Sequence, residues 1–266
     1  MGQHRDVYQL LKKSRNQLQS LFNDADNTLI VHYSCESFYD RKDMRSPRIT
    51  SIAVRNLESG QTKSFSIHLL AERRKLLDSI DEHYDQLEKE MLEDFYSHVG
   101  KNQHATWLHW NMRDANFGFE ALENRLLALG GIPSSGVADA KKVDLSRLLV
   151  GLYGKNYAGH PRIDSLMQQN GISAKDFLVG AAEAEAFVMK NFLALHQSTL
   201  RKVDVFANFA SMAHAGTLKT KGTWWEKNGR SFKAAGEWLR EHWFISGIVA
   251  ILTVVFAVIK LLRLFL

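Results

Sequence analysis

Apolar positions recur along the chain with two different periods. Val7, Leu10, Leu11, Leu18, Leu21 and Phe22 fall three or four residues apart and predict an amphipathic helix, which the polar run at 23–27 ends. Residues 28–33, a short β-branched and apolar run, predict a strand buried on both faces. Pro47 opens a second strand at 48–56, a turn follows at 58–61, and 62–68 returns as a third, with Phe65 and Ile67 on one face. One long helix is then expected over 71–99. Leu76, Leu77, Ile80, Tyr84, Leu87, Met91, Leu92 and Phe95 form its stripe, and Glu82, Asp85, Glu88, Glu90, Glu93 and Asp94 its solvent side. Residues 105–110 predict a fourth strand and 117–129 a helix closed by Gly130, Gly131 and Pro133. Asp144 caps a helix through Tyr153, another begins near Pro161, and a long one from about 175 through 203 turns Phe177, Ala181, Ala184, Val188, Phe192 and Leu195 inward. His32, His109 and Trp110 fall on buried strands and are expected to be core residues with satisfied nitrogens. Three strands, a helix, a strand and further helices predict an α/β fold.

The pattern changes at the end of the sequence. The seventeen residues 243–259 carry no charge, and apolar residues continue past Lys260 and Arg263 to Leu266. A helix over 243–266 would reach roughly 36 Å, enough to cross a hydrocarbon layer of about 30 Å. The stretch is therefore expected to be a single transmembrane anchor, its two late cations snorkelling to the far headgroups. Before it, Trp224, Trp225, Trp238 and Trp243 lie among Lys227, Arg230, Lys233 and Arg240, the composition of a membrane interface.

Charge sharpens this division. The net charge of +5 lies entirely from residue 217 onward, where eight basic side chains face three acidic ones; residues 1–216 hold 26 of each sign. The excess thus sits where an anionic leaflet would attract it, and a basic nucleic-acid-binding surface on the folded part is not indicated. The N-terminus lacks the apolar core of a signal peptide, and Asp6 stands where a myristoylation signal after Gly2 requires Ser or Thr. The expected location is the cytoplasmic side of a bacterial inner membrane. Cys35, the single cysteine, excludes an intrachain disulfide.

Candidate chemistry gathers at a few places. The first strand ends in Ser34-Cys35-Glu36, beside a charged loop of Asp40, Arg41, Lys42, Asp43 and Arg45. Asn111, Phe117-Gly118, Leu122 and Arg125 follow the fourth strand; His-Pro-Arg-Ile-Asp stands at 160–164 and Gly-Ala-Ala-Glu-Ala-Glu-Ala-Phe at 180–187. In order and placement these resemble the motifs of the DEDD exonucleases, which have a ribonuclease H-like fold. The resemblance implies four carboxylates around two divalent metals about 4 Å apart that activate water against a phosphodiester. Glu36 matches the second carboxylate of the family's D-x-E, but Ser34 stands at the first. Gly118 replaces the aspartate of the second motif, with Asp114 nearby, and Asp164 or Glu183 would supply the last.

Pattern and charge divide the chain into an N-terminal helix (1–27), a domain with a helical extension (28–216) that the resemblance implies is ribonuclease H-like, a basic Trp-rich juxtamembrane segment (217–242) and the transmembrane helix (243–266). The expected function is a membrane-anchored recognition or effector module on a degenerate exonuclease-like domain, without a cofactor. Its expected partners are the bilayer, a nucleic acid or protein, and further copies joined through the tail. Small cytosolic domains on one tail helix resemble membrane-damaging effectors of bacterial phage defence. The alternative is an active nuclease using Mg or Mn at Glu36, Asp114 and Asp164 or Glu183.

Overall fold

The computed structural model describes residues 2–36, 46–113 and 116–221. Five strands form one mixed sheet in the order β3-β2-β1-β4-β5: β1 (Thr28–Cys35), β2 (Ile49–Asn56), β3 (Thr62–Ser66), β4 (Thr106–His109) and β5 (Lys142–Asp144). β1 runs parallel to β4 and β4 to β5, while β2 is antiparallel to β1 and β3. The register pairs Leu29 with Asn56 and Val31 with Val54, then slips between Ser34 and Cys35, after which Cys35 pairs with Ile49.

Helices cover both faces, so the central strand has no wet side. Residues 28–34 of β1 are all buried. Val31, Tyr33, Ile52, Val54 and Trp107 pack with α3 (Tyr84–Lys101) and α4 (Phe119–Ala128). Ile30, Ala53 and Leu108 pack on the opposite face, in the cluster containing α1 (Gly2–Asn23), α5 (Leu145–Tyr153) and α8 (Phe192–His214). Gly151 of α5 lets α1 approach closely: a Cβ there would meet Ser14 Oγ at 2.0 Å.

Several expectations need correction. The helix foreseen over 71–99 is two, α2 (Ile67–Arg74) and α3, separated by a short 3₁₀ turn at Leu77–Ser79. Lys75, left-handed at φ 60°, ends α2. The third strand stops at Ser66 and Ile67 already belongs to α2. The helix foreseen over 175–203 is also two, α7 (Gly180–Val188) and α8, with α6 (Arg162–Gln169) before them. Left-handed Lys190 separates them, and Asn191 Oδ1 caps α8 by accepting from Ala194 N at 3.1 Å. Val188, assigned inward, is 75 % exposed, and Val7 and Leu10 of the α1 stripe are exposed too. β5 was not foreseen; its three residues are too few for a period to register. Asp144 caps α5 as expected, accepting from Ser146 N and Arg147 N.

Among the described residues no helix is long and apolar enough to cross a membrane. The expected anchor at 243–266 with Lys260 and Arg263, the interfacial residues Trp224 to Trp243, the charged loop at 40–45 and Asp114 all lie outside the described residues.

Candidate functional site

The end of β1 meets α7 and α8 in a buried polar chain. Ser51 Oγ lies 2.6 Å from Thr199 Oγ1, Thr199 Oγ1 lies 2.8 Å from Ser34 Oγ, and Ser34 Oγ donates to Glu183 Oε1 at 2.8 Å. Thr199 Oγ1 also lies 2.8 Å from Leu195 O, one turn back in α8, so its single proton serves either that carbonyl or Ser34. Lys202 Nζ closes the chain, 2.6 Å from the same Glu183 oxygen. Lys202 is only 6 % exposed. A buried ammonium is costly unless paired, and the Glu183 carboxylate together with the Phe177 ring, 5.5 Å away, offsets that cost.

Of the two sequences that could supply the final carboxylate, the one in α7 reaches the end of β1. Glu183 meets Ser34, whereas Asp164, in the first turn of α6, lines a cavity of about 310 Å³ with Asn111, His160, Arg162, Gly180 and Lys202. Glu36 opens on another cavity, of about 550 Å³, bounded by Asp81, Tyr84, Phe187 and Lys190, and its Oε2 accepts from Arg48 N at 3.3 Å. Among the described residues no three His, Cys, Asp or Glu side chains converge as a metal-binding group. Gly118 carries no carboxylate into the site; its N–H donates to Tyr33 OH at 3.0 Å.

No protein-family model, curated protein or solved structure matches the chain.

Arg125, which fits the second motif, is committed elsewhere. Its Nε and Nη2 bond the two oxygens of Glu88 at 2.8 and 2.5 Å, and Glu88 Oε1 also accepts from Ile49 N at 2.6 Å. Glu88 is fully buried, which corrects its assignment to a solvent face. Burial raises its pKa above the ordinary value against the pull of Arg125. Burial works to lower the Arg125 pKa, but the bond to Glu88 outweighs it and leaves it raised. The two directions oppose each other: the raised Arg125 pKa favours its charged form and the raised Glu88 pKa disfavours the carboxylate. The two-bond fork between them is the geometry of an ion pair.

His109 and Trp110 are core residues as expected. His109 Nδ1 accepts from Met112 N at 3.2 Å, and Trp110 stacks on Phe206 at 5.4 Å. His32 departs from the expectation: it is buried edge-on to Phe206, but its Nδ1 has no partner among the described residues. Burial and then the Lys202 charge hold its pKa well below the usual value, so the ring is neutral. Burial and nearby Glu183 push the Cys35 thiol well above its ordinary pKa, which removes it as a nucleophile at neutral pH.

Lys202, Thr199 and Ser51 were missed as site residues. A signal for Lys202 was present: Leu195, Ser198, Thr199, Lys202, Val203 and Phe206 follow the three- and four-residue spacing of a buried stripe. A lysine inside such a stripe needs a buried partner.

Proposed function

We propose that the domain is a recognition module on a degenerate DEDD exonuclease-like, ribonuclease H-like fold, tethered to a membrane by residues 243–266. The observation that carries this reading is the position of Lys202. At the end of β1, where the resemblance implies carboxylates around divalent cations, a serine and a glutamate meet a fixed ammonium. Lys202 Nζ and Ser34 Oγ both bond Glu183 Oε1, so a cation of the protein itself stands beside the carboxylate where the resemblance implies a divalent metal. A recognition event on this domain would be passed to the tail, the architecture that resembles membrane-acting effectors of phage defence.

The test is cleavage. Full-length protein in detergent, incubated with labelled single- and double-stranded DNA and RNA in Mg²⁺ or Mn²⁺, is expected to leave every substrate intact. Cleavage that Glu36→Gln or Glu183→Gln abolishes would establish the nuclease reading instead.

A further inference from the structure

The cavity of about 310 Å³ lies at the carboxyl end of β4, bounded by Trp110 and Asn111, where open α/β sheets place their ligands. Its volume is at the lower end of the range for small-molecule sites, about 300–1,000 Å³. Three basic side chains line it, Lys202, Arg162 and His160, against one carboxylate, Asp164. Lys202 gives Glu183 one of its three N–H donors. Arg162 is less committed. Its Nε is buried without a hydrogen-bond partner and no carboxylate pairs with it among the described residues; the guanidinium only faces the Tyr157 ring at 5.7 Å.

The backbone adds to this field. α6 begins at Arg162 and α7 at Gly180, and both starts border the same cavity. Their N-cap residues, Pro161 and Val179, make no side-chain capping bond, so those side chains leave the first-turn N–H groups uncapped; each first turn also carries one carboxylate, Asp164 in α6 and Glu183 in α7. At Gly180 the space a Cβ would take is empty, which leaves the backbone open to close approach.

We propose that this cavity binds a phosphomonoester group, with Lys202 and Arg162 as its charged contacts and the two helix starts as backbone donors. A tetrahedral dianion offers several acceptors at once, which suits donors converging from a lysine, an arginine and two helices better than a single carboxylate would. Trp110 and Phe177 give apolar wall to whatever carries the phosphate. This deepens the recognition reading and rests on it. Free mononucleotides and the 5′ ends of single strands share this chemistry.

The experiment is calorimetry on the full chain in detergent with EDTA present, titrating inorganic phosphate, AMP, adenosine, and one oligonucleotide with either a 5′-phosphate or a 5′-hydroxyl. Phosphate and AMP are expected to bind saturably and adenosine not. Arg162→Gln and Lys202→Met should each weaken binding about tenfold or more, the loss of one charge-assisted contact, while Lys13→Gln on α1 leaves it unchanged. Should Lys202→Met lose its helical circular dichroism, Arg162→Gln decides alone, because no carboxylate relies on that side chain. Both source outcomes support the site: tighter binding of the 5′-phosphorylated strand than of AMP identifies a nucleic-acid end, and the reverse identifies a free nucleotide. Absence of saturable phosphate binding, or binding indifferent to Arg162→Gln, overturns the proposal. If that happens without cleavage in the nuclease assay, the recognition reading survives and only the ligand class falls; cleavage would overturn the reading itself.

Discussion

Single side chains in this domain carry charge states set by burial rather than by their ordinary chemistry, and His109 is the case with a measurable consequence. Burial lowers its pKa to about 4, against a partial upward pull from Asp144, with Arg113, Lys142 and Arg147 adding to the depression. Between pH 6.5 and about 4 the unfolded chain therefore binds a proton at this position that the folded chain refuses. The contribution to stability is complete above pH 6.5 and is lost as the pH falls through that window, by an amount on the order of 3 kcal/mol. His196 is depressed to about 4 in the same way, by burial and then by His68. His109→Asn keeps an acceptor for Met112 N–H but cannot titrate. Thermal melts at pH 7 and pH 5 should show a smaller acid-side loss in the variant than in the parent; equal losses would mean that His109 is protonated in the fold.

At the scale of elements, the Glu88–Arg125 pair ties α3 to α4 and, through Ile49 N, to the start of β2. Arg125→Met would leave the Glu88 carboxylate buried and unpaired, a cost of about 3–5 kcal/mol. Glu88→Gln on that background removes the charge and retains an acceptor for Ile49 N–H, so the double variant should regain much of the loss in denaturant melts. A double variant no more stable than Arg125→Met would assign the cost to lost packing instead. This pair also marks how far the sequence could be read. β1 and β4 were visible from their short apolar runs, β2 because Pro47 opens it and the turn at 58–61 closes it, and the Asp144 cap because its side chain acts locally. Glu88 was not visible, since a glutamate in an acidic helix is indistinguishable from its exposed neighbours until the arginine opposite is known. The breaks at Lys75 and Lys190 were hidden for a related reason: both lysines adopt left-handed φ, for which their residue type gives no warning. At the site, Glu36 and Glu183 were named from the resemblance. The Ser34–Glu183 bond joins residues 149 positions apart, and the meeting with Lys202 depends on how α7 and α8 fold back on β1.

On the scale of the whole molecule, the charge distribution separates neutral residues 1–216 from basic residues 217–266. An excess of five positive charges confined to residues 217–266 favours an anionic surface only if that end sits beside one, at about 1 kcal/mol for each basic residue near the headgroups. Lys260 and Arg263, three positions apart in a stretch otherwise uncharged after residue 242, would lie on one face of a helix. If the tail only tethers, those two charges serve the far headgroups and their identity matters little. If several tails assemble, they would instead line cationic positions within the membrane, and these would be the means by which the bilayer is damaged. The two roles part on one measurement. Full-length protein reconstituted with vesicles containing anionic lipid should co-float with them, and so should Lys260→Leu/Arg263→Leu, because the substitution makes the span more apolar. Dye release from the same vesicles after the phosphomonoester ligand is added should occur with the parent and be lost in the double variant. Equal release from both would leave the tail as a tether and move the effector step to another part of the chain; failure of either protein to float would remove the membrane from the account.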